Sequence, residues 1–305
     1  MKAAVSSFDV IFISYDEPRC EEFWALLSND FPGAQRVHGV KGFDNAHKAA
    51  AKLSRTQRFF TVDGDTLVDG DFWSMMLEIP DDMLDCQFSW GARNAINGLA
   101  YGNGSVKSWT REFVLGMRTH ENALEGEQAV EFCWDKRYRP VPGIFAVTYP
   151  NGSPFQAFRA GYREAVKLSL IEGKRIEGEQ LSYRLPRDNY ARLLTWCSVG
   201  ADVVNGLWAI YGARLALIET LLMKTVEIEK ISDFDWFDHR WKRELSFINP
   251  KELETIINMQ GQGLRKDFGL HLSELDANQS AFFKHAYMDG ERVRKTSQLV
   301  RIYGE

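Results

Sequence analysis

Four consecutive, largely apolar residues at positions 59–62 (Phe-Phe-Thr-Val) run directly into Asp63, Gly64 and Asp65. Such a run reads as a strand buried in a sheet, and the glycine relieves the steric limits on the turn that follows. Two carboxylates one residue apart can converge on one hard divalent cation, which prefers oxygen ligands. In an open α/β sheet, ligands bind beyond the carboxyl ends of the strands, where this pair falls. The segment therefore predicts a sheet with an acidic, cation-binding corner at one strand end. Asp and Gly are also ordinary turn residues, so the surroundings of the motif decide between a site and a plain turn.

The residues before it alternate strand and helix signals. Positions 8–14 are β-branched and aromatic, and the turn-like Tyr15, Asp16, Glu17 and Pro18 follow. Pro18 suits a first helical turn, which Glu21, Phe23, Trp24, Leu26 and Leu27 continue. A short strand near 36–40 precedes Gly42, and Asp44 is placed as the N-cap of a helix over 45–53. Strand-helix repetition of this kind predicts an α/β fold built on a doubly wound, mostly parallel sheet. His47 and Lys48 then fall in the first turn of a helix whose free amides attract phosphate. The plainer alternative is a surface helix whose histidine helps its own cap.

Bulk properties bound the rest. The chain has 305 residues, 45% hydrophobic and 26% charged, which is ordinary for a globular protein and excludes global disorder. No apolar run approaches the roughly 20 residues needed to span a bilayer, and the first residues lack an apolar stretch of secretory length. Cys20, Cys86, Cys133 and Cys197 lie far apart without a CxxC pair, which fits reduced core thiols in a cytoplasmic protein. Net charge is −5, but positions 136–192 hold 11 Lys and Arg against 5 Asp and Glu. From 196 onward the balance reverses slightly, to 14 against 16.

Together, the turn at Ser14, Tyr15, Asp16 and Glu17, the Ala-rich helix after Asp44 and the strand ending in Asp63-Gly64-Asp65 resemble the nucleotide-binding half of GT-A-fold glycosyltransferases. In family 2 members of that fold the first-strand turn grips the nucleotide base; Asp16 here replaces the usual Asn. Positions 39–50, 93–107 and 153–168 are more narrowly similar to a phage-associated group akin to the base J glucosyltransferase, whose members glycosylate hydroxymethylated DNA pyrimidines. The resemblance covers roughly residues 8–170. It implies a Mn2+ or Mg2+ ion on Asp65 and, less directly, Asp63, and a nucleotide-sugar donor, UDP-linked as in UDP-glucose. Ser14, Tyr15, Asp16, Glu17, Lys41, Asn45, His47 and Asp63 become donor contacts. DNA becomes the expected acceptor, and the cytoplasm of a bacterium or of a phage-infected host the expected location.

Downstream segments supply the acceptor side. Asn94, Asn97, Tyr101, Asn103 and Lys107 bring donors and acceptors to a glycine-rich stretch, although a hairpin with incidental polar groups has the same composition. Trp90 and Trp109 at its edges read as core aromatics, with a sugar-stacking platform as the alternative. Ser153 and Pro154 form a helix start. Arg159, Arg163 and Lys167 follow at four-residue spacing as one basic stripe, and Phe155, Phe158, Tyr162, Ala165 and Val166 form the packing face. The stripe suits a leaving diphosphate or an acceptor phosphate backbone; Glu164 could equally pair with it as on a solvated face.

Inverting transfer also needs a base. Glu164 is the first candidate, His120 and Glu121 are the others, and His120 is alternatively a third metal ligand. No Ser/His/Asp triad, P-loop or HExxH pattern is present. We expect a catalytic domain over 1–195 and a helical portion over 196–305 that forms an acceptor or dimer surface. Within that portion Gly261, Gly263 and Gly269 read as helix breaks, and Arg292, Arg294, Lys295 and Arg301 as a small basic tail. The rival readings are a family 2-like transferase acting on a glycan or protein, and a non-catalytic nucleotide-sugar or DNA-binding module.

Overall fold

A computed structural model describes residues 1–101, 105–119, 122, 135–288 and 299–302. The elements in chain order are β1 (Lys2–Ala4), β2 (Asp9–Ser14), α1 (Cys20–Asp30), β3 (Gln35–His38), α2 (Phe43–Leu53), β4 (Arg58–Asp63), β5 (Thr66–Val68), β6 (Met76–Glu78), β7 (Gln87–Asn94), β8 (Val106–Thr110), α3 (Arg111–Gly116) and β9 (Tyr138–Thr148). They continue with α4 (Pro154–Leu168), β10 (Leu170–Ile171), β11 (Lys174–Arg175), α5 (Leu181–Arg184), α6 (Arg187–Trp196), α7 (Gly206–Leu217), α8 (Phe234–Arg240), α9 (Pro250–Phe268), α10 (Ala277–Phe283) and β12 (Leu299–Arg301).

The main sheet has seven strands in the order β3-β2-β4-β8-β7-β9-β5. The pairs β2–β3, β2–β4 and β7–β9 are parallel, whereas β4–β8, β7–β8 and β5–β9 are antiparallel. The sheet is therefore mixed, which corrects the expectation of a mostly parallel one. The cause lies between Asp65 and Gln87, where only single turns of 3-10 helix interrupt the extended chain. A parallel return needs a crossover, usually a helix; without one, β7 and β8 pair as antiparallel neighbours.

The three parallel strands at the N-terminal end of the chain do behave as expected. Ser14 pairs with His38 and Ile13 with Asp63, so the ends of β2, β3 and β4 share one edge of the sheet. Side chains alternate across the strands. Val10, Phe12, Phe60 and Val62 pack on one face with Phe23 and Leu27 of α1. Ile11, Val37 and Phe59 pack on the other with Ala50, Ala51, Phe113 and Val114 of α2 and α3. Trp90 and Trp109 are both buried in these layers, as the core reading of them requires.

Two local expectations change. Helix α2 starts at Phe43, so Asp44 lies inside the first turn and Gly42 occupies the N-cap position. The buried Asp44 carboxylate instead accepts from the Thr119 amide at 2.9 Å and from Asn122. Helix α9 runs without interruption through Gly261 and Gly263, and ends only at Gly269, whose φ of 63° is the left-handed value that favours glycine.

The C-terminal portion is helical, as expected, and α4 belongs to its core. Phe158, Tyr162, Ala165 and Val166 share one apolar cluster with Leu193 and Trp196 of α6, Ile210 and Leu217 of α7, and Leu264 of α9. Helices α4 and α7 cross closely because two glycines meet backbone: a methyl on Gly161 would run into the Ala209 carbonyl, and one on Gly212 into that of Phe158. Cys20, Cys86 and Cys197 are buried free thiols. Among the described residues no helix is long and apolar enough to cross a membrane. Cys133, Asn103, Arg292, Arg294 and Lys295 lie outside them.

Candidate functional site

Two turns meet at the shared strand edge. Gly64 sits where a β-carbon would come within 2.6 Å of Glu17 Oε2 and 2.9 Å of Ser14 Cβ. The absent side chain lets the Asp63–Asp65 turn press against the turn after β2. Glu17 is folded back over its own turn and accepts from the Tyr15 amide at 2.7 Å. Asp63 pairs with Lys107 at 2.9 Å, and the lysine side chain is only 5% exposed while Asp63 is 38% exposed. The pair forms because β4 and β8 are neighbours, with Thr61 opposite Lys107. Asp65 is half-buried; Thr66 Oγ1 and Gln156 Nε2 reach its oxygens at 3.4 and 3.5 Å.

This cluster is electrostatically loaded. Burial, together with the charges of Asp63 and Glu17, pushes the Asp65 carboxyl up to about 7. Burial also raises Glu17, with Asp16 and Asp63 adding to it. The main compensating charge is Arg159, whose guanidinium is itself lowered to about 10 by burial and by Arg163 but is held up by Asp16, Asp65 and Glu17. Oxygen ligands line the Asp65 corner, although among the described residues Glu17, Asp63 and Asp65 do not converge as a ready-made set of three; a hard divalent cation there would offset the burial and the repulsion that raise Asp65. Since Lys107 already neutralises Asp63, Asp65 is the better placed of the two to bind a metal.

Another group of potential ligands, Cys20, Glu21 and His38, does not fit a metal. The Arg36 guanidinium occupies it, with Nη2 3.5 Å from Cys20 Sγ, 2.6 Å from Glu21 Oε1 and 3.1 Å from His38 Nδ1. Arg36 Nε also donates to Ser14 Oγ at 3.0 Å, so the Ser14 hydroxyl is committed to strand β3.

Helix α4 brings the remaining groups. Ser153 caps it by accepting from the Gln156 amide at 3.1 Å, and Pro154 opens it. Gln156, buried, accepts from the Gly152 amide at 3.0 Å while its Nε2 faces Asp65. Arg159 lies 4.2 Å and Arg163 5.0 Å from the centre of the Phe234 ring, which also packs edge-on to Phe43 at 5.4 Å. One turn further, Glu164 accepts from Tyr101 Oη at 2.6 Å and from Lys167 Nζ at 3.0 Å. Burial would raise the Glu164 carboxyl, but Lys167, Tyr101 and Arg163 hold it below the usual range, so it is ionised at neutral pH. Burial and the Glu164 charge push the Tyr101 hydroxyl well up, which keeps it a donor.

The structure thus brings together Tyr15, Asp16, Glu17, Asp63, Asp65, Lys107 and Arg159, with Arg163, Glu164 and Lys167 further along α4 and Tyr101 bonded to Glu164. Lys41 stands at the rim, paired with Asp235 at 2.9 Å, and Asn45 is exposed with its amide on the Lys41 carbonyl at 3.3 Å. His47 is in the second turn of α2, buried, with Nδ1 2.9 Å from the Phe43 carbonyl oxygen and the ring 5.7 Å from Trp109. The side-chain oxygens of Asn94 and Asn97 accept from the amides of Ile96 and Leu99, which shapes their own loop. His120 and Glu121 lie outside the described residues. Gln156, Phe234, Arg192 and Trp196 were not anticipated; of these only Gln156, three residues before Arg159 on the same helix, had a local signal.

A cavity of about 450 Å³ lined by Asp85, Glu112, Arg118 and Arg137 lies elsewhere. It also touches Thr110, which pairs with Arg58 at the start of β4, roughly 16 Å along the strand from Asp63. No protein-family model matches this chain, and no curated protein is significantly similar to it. The fold and the site together define an α/β protein with an acidic corner opposed by a basic helix.

Proposed function

We propose that this protein is a metal-dependent glycosyltransferase of GT-A type, transferring a sugar from a nucleotide donor to a hydroxyl. The observation that carries this reading is the seating of Asp63-Gly64-Asp65 against the turn at 14–17, with Arg159 facing the carboxylates. A bound Mn2+ or Mg2+ would offset charge on the leaving diphosphate. Asp65 would be its ligand, and Asp63, held by Lys107, would orient the corner. Arg159, poised within the same field, binds a phosphate oxygen of the donor. Tyr15 and Asp16, exposed on the turn, are the proposed contacts to the nucleoside. Gln156 keeps the Asp65 carboxylate oriented, as partners of metal ligands commonly do.

Glu164 is the proposed base for the acceptor hydroxyl. Its ionised carboxylate is anchored by Tyr101 and Lys167, which fixes direction at some cost in basicity. The acceptor we propose is a hydroxymethylated pyrimidine in DNA, supported by the three resembling segments and by the 11-to-5 excess of basic residues over 136–192. The test is transfer of labelled sugar from UDP- and GDP-sugars onto hydroxymethylated duplex DNA, with Mn2+ present. Incorporation that falls with added salt is expected. Transfer to glycans but never to DNA overturns the acceptor, and no turnover with any acceptor overturns the enzyme reading.

A further inference from the structure

Arg192 of α6 enters the same region as α4 from a different helix. Its guanidinium lies 4.7 Å from the centre of the Tyr101 ring, and its only hydrogen-bond partner among the described residues is the neutral Asn189, at 3.1 Å. Tyr101 is fixed from both sides, accepting from Trp196 Nε1 at 2.7 Å and donating to Glu164. Lys167 closes the group through its pair with Glu164, whose side chain is 26% exposed against 30% for the lysine, so the recess opens to solvent. Arg163 flanks it with a buried Nε that has no hydrogen-bond partner. Lys167 and Arg163 thus act on the Glu164 carboxylate directly, and Arg192 stands over the tyrosine that is bonded to it. A desolvated guanidinium N–H without an acceptor is costly, and a phosphate supplies both the missing acceptor and the missing charge.

We infer that Arg192, Arg163 and Lys167 form a subsite for a backbone phosphate of the acceptor strand, placing the target nucleotide beside Glu164. The inference rests on the DNA-acceptor reading above. Two phosphate sources are conceivable, the donor diphosphate and the acceptor backbone, and the spacing along α4 separates them. Arg159 is the arginine that senses Asp16, Glu17 and Asp65, whereas the carboxylate that Arg163 senses is Glu164. Lys167 lies eight residues beyond Arg159, about 12 Å along the helix axis. Lys167 is thus displaced from the metal corner along α4 and Arg192 enters from another helix, while Arg163, which shares the Phe234 ring with Arg159, lies between the two regions.

The experiment is fluorescence anisotropy of labelled hydroxymethylated duplex DNA at several salt concentrations, with UDP–Mn2+ binding measured in parallel. Arg192→Gln should weaken DNA binding roughly 3- to 10-fold and lower the slope of log affinity against log salt by about 1. Arg192→Lys should keep most of the slope, which a purely structural role for the arginine would not, and UDP–Mn2+ affinity should not change in either variant. Arg163→Gln, with an unchanged melting profile, should lower the slope by about 1 again. Wild-type DNA affinity and slope in Arg192→Gln overturns the subsite while leaving the DNA reading in place. A loss confined to UDP–Mn2+ binding overturns it in favour of the donor diphosphate. A wild-type protein that transfers sugar to a glycan and binds no DNA overturns the subsite and the acceptor reading together.

Discussion

A buried histidine and a half-buried carboxylate pull stability in opposite directions with pH. His47 is lowered to about 4, chiefly by burial and then by the Lys107 charge, so the folded state holds it neutral. A depressed folded value means that its contribution is intact above the unfolded value near 6.5 and is lost as pH falls toward 4. Asp65 is raised, so its ionisation costs folding stability as pH rises through about 7, and the cost is absent below about 4. Comparing each variant with wild type separates the two. His47→Gln should remove on the order of 2–3 kcal/mol of acid destabilisation between pH 6.5 and 4, read by urea unfolding at each pH. Asp65→Asn should stabilise the metal-free protein by about 1–2 kcal/mol at pH 8, after discounting for its contact with solvent, with the gain vanishing near pH 4. Equal stability of Asp65→Asn and wild type at pH 8 would show that the carboxylate cluster is not under strain. The Asp63–Asp65 motif and the Arg159 stripe are legible in sequence because each is local. Arg192 and Phe234 are not, since they reach the region only through packing of α6 and α8.

Helix α4 joins the acidic corner to the C-terminal helices, and its features differ in how far a sequence can show them. Ser153 and Pro154 announce its start, and the spacing of Phe158, Tyr162, Ala165 and Val166 announces its buried face. Gly161 and Gly212 carry no such signal, because glycine inside a helical pattern looks like a weakness until the partner helix is known. Their value lies in the α4–α7 crossing, where backbone meets backbone. Gly161→Ala should therefore destabilise by about 2–3 kcal/mol, although alanine is the better helix former by about 1 kcal/mol. Thermal unfolding of the variant checks this; a raised melting temperature would mean that the helices can part without cost. Helix α9 teaches the same lesson in reverse. Gly261 lies against Arg214 and Glu274, where a β-carbon would collide, so it serves packing rather than breaking the helix.

At the scale of the whole molecule, the α/β class and the helical C-terminal portion were legible, and the direction of the later strands was not. Residues 9–63 repeat strand and helix, so β2, β3 and β4 pair in parallel and align Ser14, His38 and Asp63 on one edge. Strand direction beyond Asp65 depends on which connections lack a crossover helix, and apolar runs alone do not show this. The same long-range geometry brings Phe234 and Asp235 from the C-terminal portion onto Arg159, Arg163, Phe43 and Lys41 at the rim of the corner. The proposed function requires this corner to bind a metal and a nucleotide sugar. Its most direct measurement is thermal stabilisation by a panel of UDP- and GDP-sugars, with and without Mn2+, in wild type and Asp65→Asn. Stabilisation at saturating ligand should reach about 2–3 kcal/mol, require the metal and disappear in Asp65→Asn. Nucleotide-sugar stabilisation that persists without a divalent ion, or that survives Asp65→Asn, would contradict it.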